Sequence, residues 1–196
     1  METENKILMQ NARESLLGNW AVAIQVTVIY ILALGVIHVI PVLGTIVSIV
    51  IAGPMAVGMA IFSLSISRKQ EANVSQLFNG FSKFSLSFGA FILMILFIVL
   101  WTLLLIIPGI VAAISYSQTF FIIAENDSID SMEAIDRSKK MMAGHKWKYF
   151  CLCLRFLGWF ILSIFTLGIG LLWLIPYVQV SFAKFYDDIK TDVLIN

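Results

Sequence analysis

Residues 125–149, ENDSIDSMEAIDRSKKMMAGHKWKY, form the one long polar interruption in a chain that is otherwise close to continuous hydrocarbon. Asp130 and Glu133 stand in capping-box relation at the start of a helix. Ile129, Met132, Ile135, Lys139 and Met142 then follow as one stripe at helical spacing. The five acids of the stretch, Glu125, Asp127, Asp130, Glu133 and Asp136, all precede its five bases, Arg137, Lys139, Lys140, Lys146 and Lys148. That order complements a helix dipole, with acids at the N-terminal end and bases at the C-terminal end. It also sets the bases beside Trp147, where the next apolar run begins.

Outward from this stretch the chain has almost nothing to offer water. It has 196 residues, 60% hydrophobic and 13% charged, where soluble domains carry roughly 25% charged residues. No Asp, Glu, Lys or Arg occurs from Ser15 to Ser67, from Phe84 to Ala124, or from Phe156 to Ala183. A crossing helix needs about 20 apolar residues, so the first two runs are each long enough for two crossings. The third is shorter, and Lys148, Arg155 and Lys184 must then lie in its flanks and snorkel. The fold class expected is therefore all-α: a single polytopic transmembrane helix bundle over residues 1–196 with about six crossings. The first apolar run lacks a small-residue cleavage site, so the first crossing is expected to stay as an anchor.

Two shorter polar stretches match the first. Residues 3–19 mix apolar Ile7, Leu8, Leu16 and Leu17 with polar Asn11 and Ser15, and residues 70–83 bring Val74, Leu77, Phe78 and Phe81 to helical spacing. All three are expected to be amphipathic helices along the cytoplasmic membrane surface. Gly18 before Trp20, Gly80 before Phe84 and Gly144 before Trp147 give each a similar lead-in to an apolar run. These likenesses suggest three hairpin repeats, about 3–69, 70–126 and 127–190, each preceded by its surface helix. The turns expected near Pro41, Pro108 and Gly168 contain no Lys or Arg. By the positive-inside rule they face outward and both termini are cytoplasmic.

Candidate functional residues fall in two groups. Arg137, Lys139, Lys140, Lys146, Lys148 and Arg155 form a basic patch that either faces anionic lipid headgroups or simply sets topology. Arg155 reaches back to phosphates or meets a polar interior near Gln118 or Gln179. Ser115, Gln118 and Thr119 share one helix face; with Gln25, Tyr30 and Gln179 they are candidates for a polar bundle interior, or for interhelical hydrogen bonds. No catalytic or metal-binding constellation is present: His38 and His145 are placed on opposite sides, and Cys151 and Cys153 read as small apolar residues. No enzyme activity and no cofactor is expected. A net charge of +1 without a basic, aromatic-interleaved patch argues against nucleic acid.

The run SMEAIDRSKKMMAGHKWKYF, the turn TLGIG and then PYVQVSFAKFYDDI, together with NARESLLGNW near the start, resemble the bacterial membrane-protein family known as domain of unknown function 975. That family in turn resembles the membrane domain attached to some glycerophosphodiester phosphodiesterases. The resemblance implies a multi-helix inner-membrane protein with no assigned catalytic residues. Two functions follow as expectations. One is a scaffold, accessory or envelope-protection protein that engages the lipid bilayer, another membrane protein or a second copy of itself. The other is a small transporter or channel with a polar path through Gln25, Tyr30, Ser115, Gln118, Arg155 and Gln179.

Overall fold

Apolar side chains without charge leave the backbone no partner but itself in lipid, and helices are the local solution. The computed structural model describes residues 3–35, 43–126 and 128–195, and the side chains among them except those of Leu43 and residues 191–195. Its order is α1 (Asn5–Leu16), α2 (Trp20–Gly35), α3 (Leu43–Ser67), a 3-10 helix (Val74–Lys83), α4 (Phe84–Leu104), α5 (Ile106–Ser115), α6 (Thr119–Glu125), α7 (Ser131–Met141), α8 (Lys146–Phe165) and α9 (Leu171–Ile195). The turn expected near Pro41, with His38, and the unit boundary at Asp127 lie outside the described residues.

Four helical stretches are long and apolar enough to cross a membrane: Gly44–Ser67, Val74–Leu104, Ile106–Glu125 and Lys146–Phe165. α1 and α2, bent by 100° at their break, make a fifth if they count as one span. The sixth expected crossing falls in α9, which is not among them; its C-terminal half carries Lys184, Asp187, Asp188 and Lys190. Large apolar side chains such as Leu104, Ile107, Leu162 and Phe165 are exposed on the outside of the bundle. Such a surface is stable only against hydrocarbon, and the chain is a membrane-spanning helical protein.

α9 is the central helix. Val180, Ala183, Phe185, Tyr186 and Ile189 are all buried, and α1, α2, α3, α7 and α8 pack around it. Phe185 and Phe182 meet Tyr149 of α8 with ring centroids 5.2 and 5.1 Å apart. α1 is built into this core, burying Leu8, Ala12, Ser15 and Leu16, mainly against α9. α7 likewise buries Ala134, Ile135, Ser138 and Met141 between α4 and α6. The buried face is thus rotated from the expected stripe, since Met132 and Lys139 are exposed.

Residues 70–83 depart furthest from expectation. The segment is a 3-10 helix with Leu77 and Gly80 buried, laid against α3 and continuous with α4 as one apolar run. Glycine explains it. A Cβ on Gly58 would stand 1.8 Å from the Leu77 carbonyl oxygen, and one on Gly80 would stand 1.9 Å from that of Pro54. Two backbones touch there because neither glycine has a side chain to separate them.

The three glycine lead-ins are accordingly not alike. Gly18 and Gly144 both adopt left-handed backbone, φ +85° and +87°, turning the chain from a short helix into a long one. Gly80 has no positive φ and serves a helix contact instead.

Candidate functional site

At one end of the bundle the chain gathers most of its inward-facing charge. α3 stops at Ser67, α6 stops at Glu125, and α9 passes beside both ends carrying Asp187 and Asp188. Arg68 donates from Nη2 to Glu125 Oε1 at 2.5 Å and to Asp187 Oδ1 at 2.6 Å, and from Nε to Asp187 at 3.2 Å. Glu125 Oε2 accepts from the Tyr186 hydroxyl and from Lys190 Nζ, both at 2.6 Å. Its side chain is only 15% exposed, against 33% for Arg68. The hydrogen bonds to Asp187, with Glu125 adding to them, hold the Arg68 guanidinium protonated above even its ordinary range despite partial burial.

Lysines complete the clasp. Lys83 Nζ donates to the carbonyls of Ile123, Ala124 and Asn126 at 2.8, 3.3 and 3.2 Å. A cation is thereby placed on the orphan carbonyls at the C-terminus of α6, the end where the helix dipole favours it. Lys184 Nζ donates to the Ser67 carbonyl at the end of α3. Lys148 Nζ meets Asp188 Oδ2 at 2.7 Å, with side chains 13% and 12% exposed. Thr3 Oγ1 donates to the other Asp188 oxygen, and Asn5 Nδ2 to the Lys148 carbonyl. Residues from positions 3–5, 67–68, 83, 123–126, 148 and 184–190 are tied together. Arg68, Glu125 and Asp187 come from the ends of the three expected units, a recurrence visible in the sequence spacing but not read as a contact there.

The basic patch is dispersed by this arrangement. Lys148, expected among the headgroup-facing bases, is instead committed to Asp188. Arg137 and Lys140 are exposed and pair along α7 with Glu133 and Asp136 at 2.8 and 2.6 Å. Glu133 thus serves Arg137, and the cap of α7 rests on Asp130, whose side chain accepts from the Met132 amide at 3.1 Å. Lys139 and Arg155 are exposed, and Lys146 is half-buried.

Of the polar interior candidates, Ser115 and Gln118 are buried and adjoin the break between α5 and α6. Ser138 of α7 closes that break: its hydroxyl donates to the Ser115 carbonyl at 2.8 Å and accepts from the Gln118 amide at 3.1 Å. Ser115 Oγ and Thr119 Oγ1 donate to carbonyls within their own turns. Gln118 Nε2 donates to Ser117 Oγ, while its buried Oε1 has no partner among the described residues. Gln25 is a correction, being exposed, because α2 turns Ala23, Val26 and Thr27 inward and leaves Gln25 on the opposite face. Tyr30 and Gln179 are half-buried on α2 and α9.

Cavities open sideways between helices. One of about 510 Å³ lies among α4, α5 and α7, lined by Phe97, Trp101, Tyr116 and Lys139. A second, of about 390 Å³, is lined by Trp20, Trp159, Leu162, Trp173 and Tyr177. It adjoins a third of about 610 Å³ that holds Lys6, Glu14 and Arg155; Arg13 and Tyr177 belong to both. Among the described residues no cluster of His, Cys, Asp and Glu is arranged to hold a metal ion.

Residues 102–192, from the end of α4 through most of α9, match the family model described as a protein of unknown function (DUF975). No curated protein and no solved structure matches the chain. The expected link to glycerophosphodiester phosphodiesterases gains no support from these comparisons.

Proposed function

We propose from the geometry that this is a non-enzymatic, multi-pass inner-membrane protein, since the family model that residues 102–192 match is one of unknown function and supplies no activity. It acts as a scaffold, accessory or envelope-protection protein, engaging lipid or a membrane partner through its lateral grooves. The observation that carries this reading is the state of the interior polar groups. Ser115, Thr119 and Ser138 spend their hydroxyls on backbone at the α5–α6 break, and Gln25 faces outward. Three hydroxyls near the proposed path are thus committed to backbone, and cavities open between the helices instead.

The proposed topology has six crossings: the bent α1–α2 pair, α3, α4, α5 with α6, α8 and α9. Both termini lie on the cytoplasmic side, with the Arg68–Glu125–Asp187 clasp at that face. The meeting of those three residues supports three units, with the middle one remodelled around Gly58 and Gly80. The small-transporter reading keeps one supporting observation, the unpartnered Gln118 Oε1. Flux decides between them. Proteoliposomes holding the full chain should be as tight to a panel of ions and small amphiphiles as empty vesicles. A leak or uptake that Arg155→Leu abolishes, in a protein that still folds, would sink the scaffold reading.

A further inference from the structure

We infer that the bilayer is thinned from its cytoplasmic side along one flank of this protein, where α1, α7 and α8 face the lipid, to about half its ordinary hydrocarbon depth. This inference rests on the lipid-engaging reading and the orientation above. It names the lipid surface that the flank accepts, a thin one built of short acyl chains.

The clasp, where Lys148 meets Asp188 and Arg68 meets Glu125, marks the cytoplasmic end. From Glu125 to Ile106 and from Lys148 to Leu167 the bundle rises about 28 Å to its outer turns, at 1.5 Å per residue. A hydrocarbon core of about 30 Å fits that whole rise, and one flank obeys it. Lys83 ties the start of α4 to the clasp end of α6. Phe78, Phe81 and Phe84 are exposed at that level, and Ile92, Ile95 and Val99 carry the apolar face onward along α4.

The flank of α1, α7 and α8 differs. Asn5 Nδ2 donates to the Lys148 carbonyl, so α1 starts at the clasp and climbs beside α9. Exposed Arg13 stands about 12 Å up α1, in a cavity lined also by Trp159 and Tyr177. Arg155 is exposed about 10 Å up α8 from Lys148. α7 is fixed at a similar height by Ser138, which bonds the Ser115 carbonyl and the Gln118 amide, about 10–15 Å above Glu125. Its exposed Asp136 and Lys139 line a cavity with Trp101 and Leu104, near the α4–α5 turn. Charge on three helices therefore stands near the middle of a bilayer of ordinary depth.

Charge facing hydrocarbon there is costly. Arginines can bend back toward headgroups, but Asp136 is short, and its pairing with Lys140 leaves both groups exposed. The lower-energy arrangement brings water and headgroups inward to the charges. The uncharged rise that remains is about 18 Å from Arg155 to Leu167 and about 14 Å from Ser115 to Ile106. Leu157, Phe160, Ile164 and Phe165 are exposed along it and keep it in hydrocarbon. Bilayers accommodate a short apolar stretch by thinning, at a modest cost per Å.

The test uses the full chain in vesicles of monounsaturated phosphatidylcholines, from dimyristoleoyl to dierucoyl, each mixed with brominated dioleoylphosphatidylcholine. One variant keeps Trp159 alone of the chain's five tryptophans, the others replaced by Phe. A second also carries Trp159→Phe and Phe78→Trp, which moves the probe to the other flank. At position 159 the dimyristoleoyl lipid should displace the brominated lipid about five-fold better than the dierucoyl lipid does. At position 78 the affinity should peak at dioleoyl. Arg13→Leu with Arg155→Leu lengthens the uncharged part of α8 to about 27 Å, and should move the optimum at position 159 to dioleoyl without changing helicity. A dioleoyl optimum at both positions overturns the thinning, as does an optimum at 159 that the double substitution leaves unmoved. So does absence of quenching at 159 in every lipid, which would show that protein covers the flank. If no thickness preference appears but the vesicles stay as tight to solutes as empty ones, the thinning falls and the scaffold reading stands. A leak beyond that of empty vesicles refutes the scaffold reading whatever the quenching shows.

Discussion

Replacing Gly58 with Ala should be among the most damaging single-methyl additions in the molecule. The new Cβ would lie 1.8 Å from the Leu77 carbonyl oxygen, 2.5 Å from its carbon and 3.0 Å from its Cα, all backbone atoms that no rotamer change can remove. Ordinary contact begins near 3.4 Å, so the 3-10 helix would have to retreat from α3 by about 1.5 Å. A gap of 0.5–1 Å already forfeits a quarter to a half of a dispersion contact. Leu77, fully buried beside Met55, Met59 and Phe62, would lose most of its partners on that side. Overpacking strain of about 1–3 kcal/mol together with this loss gives about 2–4 kcal/mol of destabilisation, since packing rather than hydrophobic exclusion holds helices together in lipid. Gly158→Ala is the matched control, because nothing stands within 4 Å of its Cβ position in the middle of α8. It should be neutral or stabilising by about 0.5–1 kcal/mol, the helix penalty of glycine. Reversible unfolding by dodecyl sulfate in mild-detergent micelles, followed by far-ultraviolet circular dichroism, measures both. If Gly58→Ala lies within about 0.5 kcal/mol of the parent, or the two substitutions match, the close-approach account fails.

Three further outcomes are expected. Glu125→Gln should cost about 2 kcal/mol in the same assay, between the small worth of exposed pairs and the 3–5 kcal/mol of breaking buried ones, and a cycle with Arg68→Gln should show the two effects to be strongly non-additive; simple additivity would dissolve the clasp. Ser138→Ala should cost about 1–3 kcal/mol because it strands the Ser115 carbonyl and the Gln118 amide, and hydrogen exchange at Gln118 should speed up; an unchanged Gln118 would show that the break closes without Ser138. Cysteine placed at Leu167, 94% exposed in the α8–α9 turn, should react with an impermeant maleimide from outside the cell, and cysteine at exposed Lys140 only after the inner face is opened. The reverse pattern would invert the proposed orientation.

Features that depend on neighbouring residues were legible in the sequence. The charge-free runs produced the long helices, Asp130 caps α7 as its spacing implied, and Gly144 turns the chain just before Trp147. What could not be read depends on partners far along the chain. Val74, Leu77, Phe78 and Phe81 have the spacing of a surface helix, and only Gly58, on the preceding helix, decides that the segment sits against α3 instead. Lys148 is indistinguishable from its neighbouring bases until α9 brings Asp188 to it. Ser115 and Gln118 share a face as expected, but a serine on another helix determines that this face closes a break. Arg13 of α1 and Arg155 of α8 show the same limit, since only the fold sets them around one cavity with Tyr177 of α9.

The clasp also imposes an order of manufacture. Lys190 and Glu125 are 65 positions apart, and a ribosome adding about 5–20 residues per second needs about 3–13 s to make that interval. During that time Arg68 can reach Glu125, but Asp187, Tyr186, Lys190 and the α9 wall that shelters them do not yet exist. The first two thirds of the chain must therefore wait at the membrane with the Arg68–Glu125 pair unsheltered at its edge. α9 is thus the helix that locks those made before it, and a truncation of α9 before Tyr186 removes the fastening while leaving every earlier helix in place.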